Sequence, residues 1–402
     1  MDSVVARTTS QLTSEAQLEG LLSEEVASAI HRARSAFDTL AAPFGESFVL
    51  FGAGGLGRKT LAGLRHVGIE PLAFADNNPS LWNKSVDGLR VLSPQETAQQ
   101  FGHRAAFIVT IWRAGGGHRL AHSRQQLLDL GCTAVVSFAH LFWKYPETFL
   151  PYYCLDLPYK ICQQPNEVRK AFTLWADEAS RREYLAQLRW RLGLDFDGLP
   201  SPVAHEQYFP FDLFSLSSDE VFVDCGAFDG DTLKSFLRHQ GERFKSFVAL
   251  EPDPVNSQKL ESYVSTLDSR LKNRITLSRF AAAAQRGKLY FEATGTAAAA
   301  VSATGTVEVE CAPLDEILAD RRPTYLKMDI EGAEPDALVG AQNVIRQTTP
   351  ILAICVYHQQ NHLWQIPLFV QSLSDQYYFF LRPHNEECWD LVLYAVPSAR
   401  LL

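Results

Sequence analysis

The sequence lacks any cluster of lysine or arginine residues, and its formal net charge is −9 at pH 7. A general nucleic-acid-binding protein needs clustered positive charge to neutralise phosphates, so the composition argues against that function. Small molecules or glycans are the more suitable partners. The chain has 402 residues and is 46% hydrophobic, which is enough for two domains with real cores.

Cysteine is scarce, and the seven residues are widely spaced with no Cys-x-x-Cys pair. This pattern indicates neither a disulfide framework nor a zinc site, and it favours reduced thiols. No apolar run approaches the roughly 18 residues that span a bilayer, and the N-terminus has no basic-then-apolar signal layout. We therefore expect a cytoplasmic protein without a membrane span.

The pattern of apolar residues predicts four regions along the chain. They are an N-terminal helix within residues 1–44, a Rossmann-like α/β domain at 45–150, a connector with a helix at 151–200, and a second α/β domain at 201–402. The first helix is predicted as one segment that begins with Ser14 and Gln17 as a capping box. It either packs onto the next domain or forms a homodimer contact. Asn166 is predicted to begin the connector helix, which ends near Leu192.

A glycine-rich loop, G-A-G-G-L-G at residues 52–57, follows the first predicted strand. In a dinucleotide fold, glycines such as Gly52, Gly54 and Gly57 let the backbone approach a pyrophosphate, and Asp76 after the next strand suits ribose hydroxyls. The same glycines can instead serve helix–strand packing only. An NAD-dependent or nucleotide-sugar oxidoreductase centred here is one functional alternative, although no tyrosine begins a Tyr-x-x-x-Lys pair.

A second loop has a different pattern, V-F-V-D-C-G-A-F-D-G-D-T at residues 221–232, because its strand ends in an acid. An acid at this point suits a ligand with a cationic amino group, and glycines allow a bulky ligand to approach closely. Polar side chains of the loop can hydrogen-bond the polar end of the ligand. The residues predicted to bind it are Asp224, Gly226, Ala227, Phe228, Asp229, Gly230 and Thr232.

The strand that follows ends in Glu251 and Pro252, and Glu251 is placed to accept both hydroxyls of a ribose. Ala282, after a third predicted strand, would lie beside an adenine. A ligand that carries both an amino acid and a ribose is S-adenosylmethionine. The alternative is that Asp224 and Glu251 are capping or turn acids. Alternating segments at 288–292 and 306–310 predict a hairpin whose tip covers the cofactor.

A further strand, Y-L-K-M-D-I-E-G at residues 325–332, carries three charged residues. With a period of two, Lys327, Asp329 and Glu331 share one face, and the two acids lie at the carboxyl edge of the sheet. Charges there are costly unless they meet a ligand, a metal or each other. Glu334 follows in the first turn of a helix, either as a favourable first-turn acid or as a catalytic one.

His358 follows the most apolar strand of the chain, at residues 351–357, and should face the same crevice. It can serve as a general base near neutral pH, or it is an isolated surface histidine. Our hypothesis is that Asp329 or His358 is the base, Glu331 orients the acceptor, and Lys327 tunes the carboxylates. We predict no dedicated metal, although the clustered acids could hold Mg²⁺. A non-catalytic nucleotide-binding regulator is the remaining alternative.

These motifs together resemble the FkbM family of S-adenosylmethionine-dependent methyltransferases. The resemblance covers residues 201–397, and the string K-M-D-I-E-G-A-E at 327–334 is its most specific part. It implies a class I methyltransferase fold, a seven-stranded sheet with one antiparallel strand, that acts on hydroxyls of glycans or secondary metabolites. Phe228 stands where many relatives have Asn. The N-terminal part is similar to small nucleotide-fold domains of bacterial sugar-modifying acyltransferases, which implies a saccharide-linked pathway.

Overall fold

The chain begins with two helices rather than the single predicted one. The computed structural model describes residues 13–292, 300–301 and 307–402, and the two helices are α1 (Ser14–Leu22) and α2 (Val26–Ala41). The cap is Thr13, whose hydroxyl accepts a hydrogen bond from Ala16 N, so the predicted capping box is wrong. The chain turns at Glu25, whose backbone is extended. The turn lets α1 pack on the C-terminal core and α2 on the N-terminal core. The apolar sides of both helices are therefore buried against other parts of the same chain.

The N-terminal domain is an α/β domain built on a six-stranded sheet. Its strands are β1 (Phe48–Phe51), β2 (Ala73–Ala75), β3 (Ser85–Val86), β4 (Leu89–Leu92), β5 (Ala106–Val109) and β6 (Val135–Ser137). Its helices are α3 (Gly55–His66), α4 (Pro94–Phe101), α5 (Leu120–Asp129), α6 (Phe138–Lys144) and α7 (Pro146–Phe149), with a 3₁₀ turn at Pro79–Leu81. The order β3-β4-β2-β1-β5-β6, parallel except for β3, is Rossmann-like.

Three helices connect the domains: α8 (Tyr159–Cys162), α9 (Pro165–Phe172) and α10 (Glu178–Gly193). The prediction of one helix from Asn166 to Leu192 is wrong, because the chain between α9 and α10 pairs with the C-terminal sheet through Trp175 and Phe379. The side chain of Asp177 then caps α10 by accepting from Ser180 N. Residues of α10 belong to both hydrophobic cores, so this helix joins the two domains.

The C-terminal domain contains a seven-stranded sheet and a smaller four-stranded one. Its strands are β7 (Val221–Cys225), β8 (Ser246–Leu250), β9 (Ile275–Ser278), β10 (Ala281–Ala282), β11 (Gly287–Glu292), β12 (Ala300–Val301), β13 (Val307–Ala312), β14 (Tyr325–Met328), β15 (Ile351–Cys355), β16 (Tyr377–Pro383) and β17 (Leu391–Pro397). Its helices are α11 (Asp231–Gln240), α12 (Pro254–Ser265), α13 (Ser269–Lys272), α14 (Leu314–Ile317), α15 (Glu334–Val339), α16 (Gln342–Thr348) and α17 (His362–Leu373), followed by a 3₁₀ turn at Ser398–Arg400.

The large sheet has the order β16-β17-β15-β14-β7-β8-β9, and β17 alone is antiparallel to its neighbours within it. This arrangement confirms the predicted seven-stranded sheet with one antiparallel strand. The order reverses between β7 and β14, and ligands bind at such a switch point, beyond the carboxyl ends of the strands. The four-stranded sheet contains the predicted hairpin of β11 and β13, but apart from residues 300–301 its tip at 294–306 lies outside the described residues.

The sequence analysis also predicted reduced cysteines and no membrane span. All seven cysteines are free, and six of them are buried. Among the helices of the described ranges, none combines the length and the apolar character that crossing a membrane requires.

Candidate active site

A cavity of about 490 Å³ opens at the carboxyl edge of the seven-stranded sheet. Its walls come from the loops after β7, β8 and β14, and also from the N-terminal domain. Its volume lies in the range of about 300–1,000 Å³ that small-molecule sites occupy. The two sequence motifs that were singled out in this domain therefore meet in one cavity.

The loop after β7 forms one wall through Gly226, Phe228 and Thr232. Gly226 has φ +82°, and a Cβ atom added to it would lie 2.0 Å from the carbonyl oxygen of Asp329. Phe228 also has a positive φ of 47°, and its N–H points at Glu251. The loop is therefore shaped by close backbone contacts with the neighbouring strand ends.

Glu251 lies at the end of β8 and lines the cavity although it is only 6% exposed. Its two carboxylate oxygens accept hydrogen bonds from Phe228 N at 2.8 Å and from Asp253 N at 2.9 Å. Burial raises the pKa of Glu251 to about 7, against the lowering effect of these two backbone hydrogen bonds. Each oxygen keeps a lone pair, so the carboxylate can still accept from a ligand hydroxyl.

Asp224 does not line the cavity, contrary to its predicted contact with the ligand. It is fully buried within β7, and its Oδ1 forms an ion pair with Lys327 Nζ at 3.0 Å. Lys327 also donates to the carbonyl oxygen of Gly226 at 2.7 Å. Burial raises the pKa of Asp224, and the Lys327 charge limits that rise. Lys327 does line the cavity, and it balances a buried acid as the sequence suggested, but that acid is Asp224.

The remaining predicted cofactor residues divide into two groups. Pro252 and Ala282 line the cavity, whereas Ala227, Asp229 and Gly230 do not. Asp229 instead pairs with Lys234 at the surface, and Gly230 begins α11 with φ +90°. The corner expected beside an adenine also lines the cavity through Ala281, and further cavity residues of this region are Cys225, Asp231, Leu250, Asn256, Phe280 and Leu289.

Asp329 lines the cavity directly after β14. Its Oδ2 accepts a hydrogen bond from Tyr208 OH at 2.8 Å, while Oδ1 has no hydrogen-bond partner in the described chain and lies 3.4 Å from His358 Nε2. Tyr208 also lies under Lys327, with Nζ 5.1 Å from the ring centroid. The predicted base therefore faces the cavity, and one of its oxygens is held by a tyrosine.

His358 lies behind the cavity wall, with its side chain 1% exposed. Nδ1 is 2.8 Å from Glu334 Oε1, an ion-pair contact that is not aligned as a hydrogen bond. Nε2 makes no hydrogen bond either, and it lies 3.4 Å from Asp329 Oδ1 and 3.8 Å from Glu331 Oε1. Burial alone would lower the pKa of His358, but the carboxylates of Glu334, Glu331 and Asp329 raise it to about 10.

The two glutamates beside His358 differ in environment. Burial raises the pKa of Glu331 to about 7, with His358 opposing the shift. Glu334 is fully buried and accepts from Ile330 N at 2.9 Å. Burial would raise the pKa of Glu334 too, but His358, His362 and the Ile330 N–H lower it to about 2. This set suits a protonated imidazole rather than the general base that the sequence suggested for His358.

Aromatic residues of both domains form a further wall of the cavity. Trp112 of the N-terminal domain lies 4.7 Å, centroid to centroid, from Trp389, and Tyr153 lies 4.8 Å from the same ring. Trp112 Nε1 donates to the carbonyl oxygen of Glu387 at 3.0 Å, which fixes the loop after β5 to the C-terminal domain. The exposed Arg113 also lines the cavity. The other unpredicted residues of this wall are Ala114, Tyr152, Tyr357 and Asp390.

The glycine loop of the N-terminal domain has a packing role in the structure. A Cβ on Gly57 would lie 1.9 Å from the carbonyl oxygen of Gly52, so helix α3 packs directly on the end of β1. The carboxylate of Asp76 accepts from Ala53 N at 2.7 Å and from Asn78 N at 2.8 Å, which holds the loop from within. Gly52, Gly54, Gly57 and Asp76 do not line the cavity between the domains.

Comparison with known proteins agrees with this geometry. Residues 224–386 match the family model described as the methyltransferase FkbM domain. A crystal structure of methyltransferase FkbM from Methylobacillus flagellatus KT is similar at a TM-score of 0.78 and 22% identity, over 96% of this chain and 99% of that chain. At this identity the likeness shows a shared fold, and it extends over both domains.

A second solved structure, a fibrillarin pre-rRNA processing protein from Methanococcus jannaschii, is 10% identical with a TM-score of 0.28, over 46% of this chain and 70% of that chain. This score is too low to inform the fold. No curated protein sequence matches the chain significantly.

Proposed function

We propose that the chain transfers a methyl group from S-adenosylmethionine to a hydroxyl of a sugar, glycan or secondary metabolite. The match of residues 224–386 to the methyltransferase FkbM family model supports this proposal. The observation that carries this proposal is the single cavity in which the loop after β7, Glu251 and the acids after β14 meet. When bound, S-adenosylmethionine supplies an electrophilic methyl group on a sulfonium.

The chain offers suitable groups for the polar ends of that cofactor. Glu251 is buried with its carboxylate fixed by two backbone N–H groups, so it is pre-organised to accept ribose hydroxyls. Asp231 lines the cavity at the start of α11, and we assign it the contact with the amino group that the sequence suggested for Asp224. Phe280, Ala281 and Ala282 form an apolar surface for the base.

The acceptor would enter between the domains, where both carboxylates and aromatic rings line the cavity. The carboxylates include Asp329 and Asp390, and the aromatic rings include Trp112, Tyr153 and Trp389. Carboxylates suit hydroxyl donors, and aromatic faces suit the apolar faces of a ring, so a polyhydroxylated ring suits both kinds of group. This combination supports a sugar-containing acceptor.

The hydroxyl proton requires an acceptor, and the geometry favours Asp329 over His358. Both nitrogens of His358 face carboxylates, so a neutral ring would place a lone pair against a negative charge. Asp329 lines the cavity, whereas His358 does not. A carboxylate at this position can take the proton as the oxygen approaches the methyl group. Most of the rate acceleration then comes from holding the two reactants in line.

The experiment that tests this function is incubation with methyl-labelled S-adenosylmethionine and extracts of the host, followed by identification of the labelled product. Wild-type protein should transfer the labelled methyl group to an oxygen of a sugar or metabolite. The Asp329→Asn variant should transfer less of it while still binding the cofactor. Cofactor binding without any transfer in the wild type would favour the non-catalytic regulator. Labelling of nitrogen or carbon would contradict O-methylation. The free cysteines support a reducing compartment such as the cytoplasm.

A further inference from the structure

The imidazole of His358 is surrounded by carboxylates without an aligned hydrogen bond at either nitrogen. Its side chain is 1% exposed, and both ring nitrogens lack a hydrogen-bond partner in the described chain. Nε2 points towards Asp329 Oδ1 and Glu331 Oε1, at 3.4 Å and 3.8 Å. Buried polar atoms are normally paired, so an open Nε2 between two carboxylates indicates a missing partner.

The charges around this nitrogen are unbalanced. Asp329, Glu331, Glu334 and Asp390 contribute four carboxylates, and all four interact electrostatically with His358. Lys327 lines the same cavity, but it is already paired with the buried Asp224. Buried negative charge is costly unless cations compensate for it, and a single imidazolium compensates for only one carboxylate. The cluster therefore has an excess of negative charge that a cation would neutralise.

We propose that Asp329, Glu331 and His358 Nε2 bind a divalent first-row transition-metal ion, with Glu334 holding His358 in position. One imidazole nitrogen with two carboxylates is a donor set for ions such as Mn²⁺ or Zn²⁺, because imidazole suits transition metals more than Mg²⁺. Nε2 lies 3.4 Å from Asp329 Oδ1 and 3.8 Å from Glu331 Oε1. Asp329, Glu334 and His358 also form a group whose ligand atoms all lie within 4.8 Å of one another, so the donors are already gathered at this place.

The position of Glu334 supports this assignment. A metal-binding histidine commonly directs its other ring nitrogen at a carboxylate, which fixes the tautomer and the ring orientation. Glu334 Oε1 lies 2.8 Å from His358 Nδ1, and its carboxylate is held by Ile330 N at 2.9 Å. In the metal-loaded protein the proton on Nδ1 stays beside Glu334, and the ion takes the place of the second proton, at Nε2 beside Asp329 and Glu331.

The role of the ion rests on the proposed function. Asp329 and Glu331 both line the cavity, so an ion between them is within reach of an acceptor hydroxyl. A coordinated hydroxyl loses its proton more readily, because the cation stabilises the alkoxide. The O–H bond breaks, the electron pair stays on oxygen, and the proton passes to the carboxylate of Asp390 in the same cavity. In the metal-loaded protein Asp329 is therefore a metal ligand, and Asp390 replaces it as the base; without the ion, Asp329 is the base as proposed above.

Electron paramagnetic resonance of Mn²⁺ tests the site without any methyl acceptor. Chelator-treated wild-type protein should bind about one equivalent of Mn²⁺ at micromolar concentration, and this binding lowers the intensity of the six-line signal of the free ion. His358→Gln and Glu331→Gln should each weaken this binding by about tenfold or more. His140→Gln, which replaces a half-buried histidine of the N-terminal domain, is the matched control and should bind as the wild type does. No Mn²⁺ binding by the wild type, or equal binding by Glu331→Gln, would overturn the proposal.

X-ray absorption of the Zn²⁺-loaded wild type tests the site without any variant, so its result does not depend on whether the variants fold. The expected spectrum has one imidazole among oxygen ligands, and a spectrum without imidazole or with sulfur would also overturn the site. Calorimetry with S-adenosylmethionine on the metal-free protein separates the two proposals. Cofactor binding without metal binding would leave the proposed methyltransferase in place and reject only the metal site.

Discussion

No side chain fits between Gly226 and Asp329, because a Cβ atom at position 226 would lie 2.0 Å from the carbonyl oxygen of Asp329. The two residues follow neighbouring parallel strands, β7 and β14. Gly226 also has φ +82°, which residues with a side chain rarely adopt. The two loops that carry the site therefore depend on glycine at this one position.

Substitution of Gly226 by alanine should damage both stability and cofactor binding. We expect the free energy of unfolding to fall by about 1–3 kcal/mol, since both the steric contact and the backbone conformation oppose a side chain. Urea unfolding measures this change. Gly20→Ala is the matched control: Gly20 lies exposed within α1 with no atom within 4 Å of the added Cβ. It should stabilise the protein by about 0.5–1 kcal/mol. Equal stability of Gly226→Ala and wild type would contradict this view of the loop.

The ion pair of Lys327 and Asp224 is buried, so removal of one partner should be more harmful than removal of both. Lys327→Met leaves a buried carboxylate without its cation, and we expect a loss of about 3–5 kcal/mol in the free energy of unfolding. Lys327→Met combined with Asp224→Asn should recover part of this loss. Denaturant unfolding of the single and double variants gives the coupling energy. Additive effects would show that the two charges do not depend on each other.

Cofactor affinity should depend on pH through Glu251. Its pKa is raised to about 7 by burial, so the free protein holds the carboxyl protonated below that pH. Ribose hydroxyls donate to the ionised form, so binding favours loss of the proton. The affinity should therefore increase as pH rises from about 6 to 8 and level off above the pKa. Calorimetric titrations across this range test the trend. Glu251→Gln should bind more weakly and show no such dependence, and an equal pH profile for both proteins would exclude Glu251 as the cause.

Arg113 should affect the acceptor and not the cofactor. It lines the cavity from the N-terminal domain, whereas the proposed cofactor site is built from the C-terminal domain. With the acceptor identified by its labelled product, Arg113→Ala should raise KM by up to about tenfold and leave the Kd of S-adenosylmethionine unchanged. Arg124→Ala is the matched control, since Arg124 is an exposed arginine of the same domain with only a 3.9 Å contact to Asp197. Identical KM values for both variants would place the acceptor elsewhere.

The sequence allowed the large sheet and much of the C-terminal site to be predicted. Alternating and continuous apolar runs located the strands, and the acids at their ends located Glu251 and Asp329 at the cavity. The exact partner of a buried charge could not be predicted, because Asp224 and Lys327 are neighbours only through the register of β7 and β14. Local sequence gives no information on such cross-strand pairs.

The sequence analysis also did not predict the aromatic wall of the cavity, and this is its larger omission. Trp112 and Trp389 are 277 positions apart in sequence and meet only because the domains pack around α10. No local periodicity marks either residue as part of a site. The glycine loop at residues 52–57 is the converse case, because its local sequence pattern does indicate a nucleotide site. The structure shows that Asp76, the acid expected at the ribose, accepts from Ala53 N of that loop and from Asn78 N, as Glu251 does from Phe228 N and Asp253 N; of the two acids, Glu251 lines the cavity and Asp76 does not.

The central claim is that the cofactor binds at the second loop and not at the first. Calorimetric titration of S-adenosylmethionine into wild type, Glu251→Gln and Asp76→Asn tests it directly, since both variants replace an acid after a second strand by its amide. We predict binding to the wild type, equal affinity for Asp76→Asn, and affinity lower by about tenfold or more for Glu251→Gln. Loss of binding in Asp76→Asn with wild-type affinity in Glu251→Gln would contradict the account.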